Sequence, residues 1–443
     1  HRCTVKHAAG KEFQMLVGAT RITTLLVAIV LLISHAHAGP VRLVERADGH
    51  QLLVDGEPFF VQGAGGQSHL DQLVAAGGNS IRTWGADNAQ EVLDAAHERG
   101  IKVTLGIWLG HERHGFDYND PQQVRAQLDK VRRIVRQYKD HPALLMWGLG
   151  NEIALEGDPR RLFPEVERVA RLVKSIDTDH PTMTVIAGAS ERKISAFMDR
   201  CSSVDILGVN SYGGAADIPS DLARHGYEGP YMVTEFGPRG WWESPAAPWG
   251  AEIEPTSAEK AKMYRRGYEG GVLGAPGRCL GCYVFLWGQK QEATATWFGM
   301  FLRDGSKTPT VDVFHRFWSG DAPDNHAPVV SAIESPVSLA GIAPGTPFTA
   351  SVEVSDADGD ALEPEWVIIA ESTDRKTGGD AEEAPPEFPE LTRQQRLQGA
   401  ELVSPKEEGP YRLFITVRDG EGGAGTANIP FFVIRRAEDA MDR

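Results

Sequence analysis

Short apolar runs recur along the first three quarters of the chain, and stretches with apolar positions three and four apart stand between most of them. The runs end near Gly63, Trp84, Trp108, Glu152, Gly188, Tyr212, Glu235 and Trp287, which makes eight units. Helical spacing marks 89–99, 121–139, 163–176 and 257–270; Pro121 falls in a first helical turn and Gly100 just past a last one. Eight strand-helix units over about 250 residues predict an α/β fold, a parallel (β/α)8 TIM barrel. Ahead of it, RLVERADGHQLLVDGEPFF (42–60) reads as a hairpin with turns at Asp48-Gly49 and Asp55-Gly56.

The barrel pattern stops at Phe317-Trp318, and the text from Ser319 to Pro328 is rich in turn formers. Beyond it FTASVEVS, EWVIIAES, YRLFITVRD and ANIPFFVIR alternate in the rhythm of a smaller all-β sandwich. The charged, proline-containing stretch 373–398 reads as a long exposed insertion. The expected division is a leader with signal peptide at 1–38, a barrel at 39–320, a linker at 321–328 and an accessory sandwich at 329–443.

The leader assignment rests on Met15, Arg21, the apolar run Ile22–Ile33 and Ala36-His37-Ala38, a signal-peptide pattern with cleavage after Ala38. It predicts a secreted or periplasmic protein. The run is shorter than the ~20 residues of a membrane-spanning helix, and no later segment reads as an anchor. With 45 Lys and Arg against 61 Asp and Glu, the formal charge is −16. Such a surplus repels phosphate backbones and argues against nucleic acid as a partner. Cys201, Cys279 and Cys282 follow the leader; with no second CxxC they read as one structural disulfide and a thiol, or as packed thiols. Gly63-Ala64-Gly65-Gly66 lacks the GxGxxG spacing of a dinucleotide loop. Asp356-Ala-Asp-Gly-Asp360 would need Gly at 361 and Glu at 367 to be an EF-hand, so it reads as a polar turn.

Two carboxylates change the picture. WGLGNE ends at Glu152 and VTEFG is centred on Glu235, each closing an apolar run. Residues at the C-terminal ends of barrel strands converge on one mouth, so Glu152 after strand 4 and Glu235 on strand 7 are expected to face each other. A pair of that kind suits glycoside cleavage, in which one acid protonates the leaving oxygen and one carboxylate meets the oxocarbenium-like carbon. Like-charge repulsion would keep Glu152 protonated until Glu235 is esterified, and then release its proton so that it serves as general base.

Asn151-Glu152 after strand 4 with Glu235 after strand 7 resembles glycoside hydrolase clan A, and residues 40–318 look like the catalytic barrel of family 2 glycoside hydrolases. That resemblance implies Glu152 as acid/base and Glu235 as nucleophile of a retaining double displacement. It also implies that Arg82 in SIRTWG holds the nucleophile ionised, that Asn151 meets the sugar 2-hydroxyl, that Tyr212 stands against the nucleophile, and that Trp287 is a sugar platform. Asn210 shares the inward face of strand 6 with Tyr212. Trp84, and Trp108 and His111 in the loop after strand 3, together with Trp241 in Pro238–Glu243, are expected walls of the substrate site. Trp147 reads as barrel packing. Arg113 and Arg239 are candidates to grip a uronate carboxylate, as a guanidinium pairs with it in bidentate fashion, and His111 with His114 lacks a clear third metal ligand.

Unlike a typical family 2 enzyme, the barrel starts about 20 residues into the mature chain and its β-sandwich, immunoglobulin/cadherin-like in pattern, follows rather than precedes it. The resulting expectation is a retaining β-glycosidase needing no cofactor or metal, acting on β-glucan or a related polysaccharide. The alternatives are a transglycosidase with the same residues or a noncatalytic glycan-binding envelope protein.

Overall fold

Eight parallel strands close into a barrel in the computed structural model, which describes residues 40–435. The expected leader and its cleavage point lie outside the described residues. The strands are β1 (Val61–Gly65), β2 (Ser80–Arg82), β3 (Lys102–Ile107), β4 (Leu144–Leu149), β5 (Thr182–Ala187), β6 (Ile206–Asn210), β7 (Tyr231–Glu235) and β8 (Cys279–Val284), paired in that order around the ring. Their residues are almost entirely buried, because helices cover the outside while side chains fill the inside. Trp147 is fully buried, with its indole N–H on Asp177 Oδ2 at 2.8 Å, a packing role as expected.

The helix starts follow capping chemistry. Asp120 caps Pro121–Tyr138 by accepting from the Gln122 N–H at 2.8 Å, with Pro121 at the first helical position. Asp158 does the same for Pro159–Lys174, which is why that helix begins before the predicted 163. The N-terminal strands Val41–Arg46, Gly49–Val54 and Glu57–Pro58 form an antiparallel sheet, and Leu52 and Val54 pack with Leu145, Met183 and Tyr283 against the barrel's N-terminal end.

After the last barrel helix, Pro309–Ser319, the chain is strand-rich. A five-stranded sheet built around Glu363–Ala370, Gly409–Arg418 and Ala424–Val433 shares one core with a three-stranded sheet that includes Pro347–Ser351 and Gly399–Val403; Trp366, Leu413 and Phe431 face Phe348 and Leu402 there. Buried polar contacts tie these strands to the barrel. Asn428 Nδ2 donates to Glu254 Oε2 at 2.6 Å, and Arg412 Nη2 donates to the Glu252 carbonyl at 2.7 Å. Glu254 is also paired with buried Lys260.

Three readings take definite form here. The thiols of Cys201, Cys279 and Cys282 are buried and unpaired. Asp356 Oδ1 accepts the N–H groups of Asp358, Gly359 and Asp360, a polar turn as expected, although the fold adds Asp419 beside Asp356 and Asp360. The stretch 373–398 is not a free insertion: Glu387–Phe388 and Thr392–Arg396 join the sheets, and Thr377–Asp380 reach the mouth of the barrel.

Candidate active site

The loop after β4 turns twice within three residues. Gly150 has φ +71° and Glu152 φ +50°, so Glu152 stands three positions beyond its strand. For a residue with a Cβ that conformation costs roughly 1–3 kcal/mol and persists only where its surroundings enforce it. Here the Glu152 N–H donates to the Val185 carbonyl at 3.0 Å, and the Glu152 carbonyl accepts from Leu155 at 2.7 Å.

Glu235, the last residue of β7, is held by three donors. Arg82 Nη1 at 3.0 Å and Trp84 Nε1 at 2.7 Å share Oε1, while the Tyr212 hydroxyl donates to Oε2 at 2.9 Å. Arg82 reaches on to the Thr234 carbonyl and to Asn151 Oδ1 at 2.7 Å. Asn210 joins Glu152 to this network: its Nδ2 donates to Glu152 Oε1 at 2.8 Å and to Asn151 Oδ1 at 3.2 Å, and its Oδ1 accepts from the Thr234 hydroxyl at 2.7 Å. One connected network therefore orients both acids.

Their electrostatic surroundings differ. Burial first, and then the negative charge of Glu235, push Glu152 up to about 7. Burial and the same Glu235 charge hold the Tyr212 hydroxyl protonated, well above its usual range, so it remains a donor. Glu235 has a guanidinium and two neutral donors, while Glu152 has one amide. The three donors on Glu235 suit oxygens that attack a carbon, while burial favours the protonated form of Glu152.

Above them opens a cleft of about 760 Å³. Trp84, Trp108, Asn151, Asn210, Tyr212 and Trp241 line it with both glutamates. Three expected substrate-binding residues do not. Arg82 is 2% exposed and works beneath the cleft, on Glu235. His111 lies behind Trp108, stacked at 4.7 Å, and burial followed by the Arg113 charge pushes it down to about 4, so it is neutral packing. Trp287 is 1% exposed, donates to the His69 carbonyl at 3.1 Å and packs on Phe301 and Trp318. Strand β8 ends three residues before Trp287, and Phe285 with Leu286 reaches the cleft instead.

Neither uronate candidate is available for a carboxylate. Arg113 is committed to Asp380 and the Thr377 carbonyl, and Arg239 does not line the cleft. His114 Nε2 also engages Asp380, at 2.9 Å. Among the described residues the one trio with metal-ligand spacing is Asp356, Asp360 and Asp419, none of which lines the cleft.

Sequence reasoning gave no role to Glu243, Lys193, Lys290, Glu292 or Thr377–Asp380, which line the cleft together with Trp242. Trp242 and Glu243 stand in the very loop that was singled out for Trp241. Lys193 sits in the first turn of Glu191–Arg200 and its Nζ donates to the Ala187 carbonyl, with no local signal to distinguish it from a surface lysine.

Two substitutions separate support from packing. Trp84→Phe removes a charge-assisted hydrogen bond worth about 1.5–3 kcal/mol, so turnover of a cleaved substrate should fall by about 10- to 100-fold with Tm nearly unchanged. Trp287→Ala should instead cost about 3–5 kcal/mol of stability in urea unfolding. A raised KM for Trp287→Ala at full stability would restore Trp287 as a platform.

Residues 68–241 match the TIM barrel domain of the glycosyl hydrolases family 2. A β-glucuronidase from Paenibacillus borealis is 26% identical over 231 residues, covering 43% of this chain and 37% of that protein. The β-glucuronidase of Felis catus is 26% identical over 184 residues, 37% of this chain and 26% of that protein. A probable mannan endo-1,4-beta-mannosidase A-2 of Aspergillus terreus is 29% identical over 133 residues, 26% of this chain and 33% of that protein. The chain thus spans well under half the length of these relatives. In fold it resembles Bacteroides uniformis beta-glucuronidase 2 covalently bound to cyclophellitol-6-carboxylate aziridine, with TM-score 0.50 and 15% identity over 91% of this chain and 50% of that one. It also resembles a GH2 beta-galacturonidase from Eisenbergiella tayi bound to galacturonate, with TM-score 0.50 and 18% identity over 65% and 55% of the two chains.

Proposed function

We propose that the protein, whose residues 68–241 match the TIM barrel domain of the glycosyl hydrolases family 2, is a retaining β-glycoside hydrolase with Glu235 as nucleophile and Glu152 as acid/base. The observation that carries this is the unequal treatment of the two carboxyl groups: three donors, one cationic, on Glu235, and a raised proton affinity on Glu152.

In the first step Glu235 attacks the anomeric carbon while Glu152 gives its proton to the departing glycosidic oxygen, leaving a glycosyl ester. That ester removes the charge of Glu235, and the proton affinity of Glu152 falls with it. Glu152 then takes a proton from water as the water oxygen attacks the same carbon, so Glu235 leaves as a carboxylate and the product keeps the β configuration. Asn151, fixed by Arg82, is placed to meet a sugar 2-hydroxyl. A sugar hydroxyl in place of water would give transglycosylation with the same residues.

The aromatic walls Trp84, Trp108, Trp241, Trp242 and Phe285 suit the C–H faces of any pyranose. A β-glucuronide is the first reading, supported by the β-glucuronidase relatives and by Lys193 and Lys290, the two cationic side chains that line the cleft. A β-glucan fragment is the second reading, supported by the aromatic walls alone. The test is a panel of aryl β-glycosides, including glucoside, mannoside, galactoside and glucuronide, followed by proton NMR of the first product. Cleavage with the β-anomer formed first is expected. A first-formed α-anomer would overturn retention, and no cleavage of any member would overturn the glycosidase reading.

A further inference from the structure

We propose that Arg375–Glu382, contributed by the strand-rich C-terminal part, is the end wall of the sugar site and stops the cleft beyond the one sugar transferred to Glu235. The inference rests on the glycosidase reading above and adds the mode of action. Thr377, Gly378, Gly379 and Asp380 line the same cleft as the two glutamates, although more than 130 residues of chain separate them from Glu235.

The segment is fastened at three places on the barrel mouth. Arg375 Nη2 meets Glu252 at 2.7 Å in the loop after β7, with its guanidinium 5.6 Å from the ring centre of Trp241. After β8, Lys290 Nζ donates to the Gly379 carbonyl at 2.7 Å and the Ala293 N–H donates to Glu382 Oε2 at 2.8 Å. After β3, Arg113 Nη1 reaches Asp380 Oδ2 at 3.0 Å, and His114 reaches the same oxygen at 2.9 Å. Consecutive left-handed glycines let the backbone lie this close: a Cβ on Gly378 would stand 2.8 Å from Arg113 Nη2, and one on Gly379 would stand 3.0 Å from Lys290 Nζ.

Ring order gives the wall a direction. Going from β8 to β3 one way passes only β1 and β2, and going the other way passes β4 to β7. Glu152 belongs to β4 and must face the leaving oxygen, so the leaving group departs over the β4–β6 arc, where Leu155, Gly188 and Lys193 line the cleft. The segment's fastenings, on the loops after β7, β8 and β3, all lie outside that arc. A further sugar on the non-reducing side of the transferred residue would have to pass through the segment. The site therefore accepts chain ends, and the C-terminal part is a piece of the substrate site rather than an appendage.

The experiment uses the full chain and β-linked oligosaccharides labelled at the reducing end, with products sized by mass at early times beside the best aryl glycoside. The intact protein should release single sugars, giving labelled products one unit apart. A variant with residues 376–381 replaced by Gly-Ser should still cleave the aryl glycoside, with a raised KM, and should now yield internal fragments. Asp380→Ala should shift the pattern the same way, more weakly, if the larger change fails to fold. Internal cleavage by the intact protein, with the aryl glycoside also cleaved, overturns the wall and leaves the glycosidase reading standing. No cleavage of any glycoside overturns both.

Discussion

Glu235→Gln should lower turnover of an aryl β-glycoside by about 10⁴- to 10⁶-fold, as loss of a covalent nucleophile does elsewhere. The amide oxygen still accepts from Arg82 and Trp84, so the network beneath the cleft keeps its shape. What disappears is the group that forms the glycosyl ester. Arg82 loses its counter-charge while 2% exposed, so some thermal stability should go with it. Circular dichroism should still report the folded barrel. A variant within tenfold of the parent turnover would remove Glu235 from the nucleophile role, whatever its Tm.

How well the chain could be read depended on how local each constraint is. Strand ends were placed within three residues throughout, because burial on both faces of a parallel strand writes a continuous apolar run such as YMVTE or LLMWGL. Glu235 was legible for that reason: it is the last residue of such a run. Glu152 was legible as a carboxylate near a strand end, but its left-handed backbone depends on Val185 and Leu155 and leaves no mark in its own neighbourhood. Trp287 shows the opposite failure. It sits three residues past β8, where one turn of the loop exchanges cleft for core, and pattern alone cannot tell which aromatic of Phe285-Leu286-Trp287 points inward. The wall at Thr377–Asp380 was the least visible, since its place depends on how a second set of sheets docks on the barrel. Charge and proline content signal exposure equally well for a solvated loop and for one leaning over a cleft.

Glu152→Ala should divide the reaction into its two halves. With an aryl glycoside whose leaving group needs no proton, Glu235 can still form the glycosyl ester, so the first step should survive while hydrolysis of the ester slows by about 10²- to 10⁴-fold, the range expected for a lost general base. Azide is a nucleophile that needs no base and fits the space vacated by the carboxyl group. It should restore turnover and give a β-glycosyl azide; an α-azide, or no rescue with normal ester formation, would take the acid/base role away from Glu152. In the parent protein that same group sets the alkaline limb of activity. Burial and then the Glu235 charge raise it to about 7, so the catalytic acid is present below that pH and is lost as pH rises through it. The folded state also holds this proton where the unfolded chain has released it, from the ordinary value near 4.5 up to about 7, so this site makes stability decline as pH rises across that window. Removing the charge at Glu235 should lower the Glu152 value, with burial still opposing a full return. Infrared difference spectra of the carboxylic acid band in Glu235→Gln would detect the change, and an unmoved band would mean that burial alone raises Glu152. The two acids would then be independent, and the alternation of Glu152 between acid and base would need another cause.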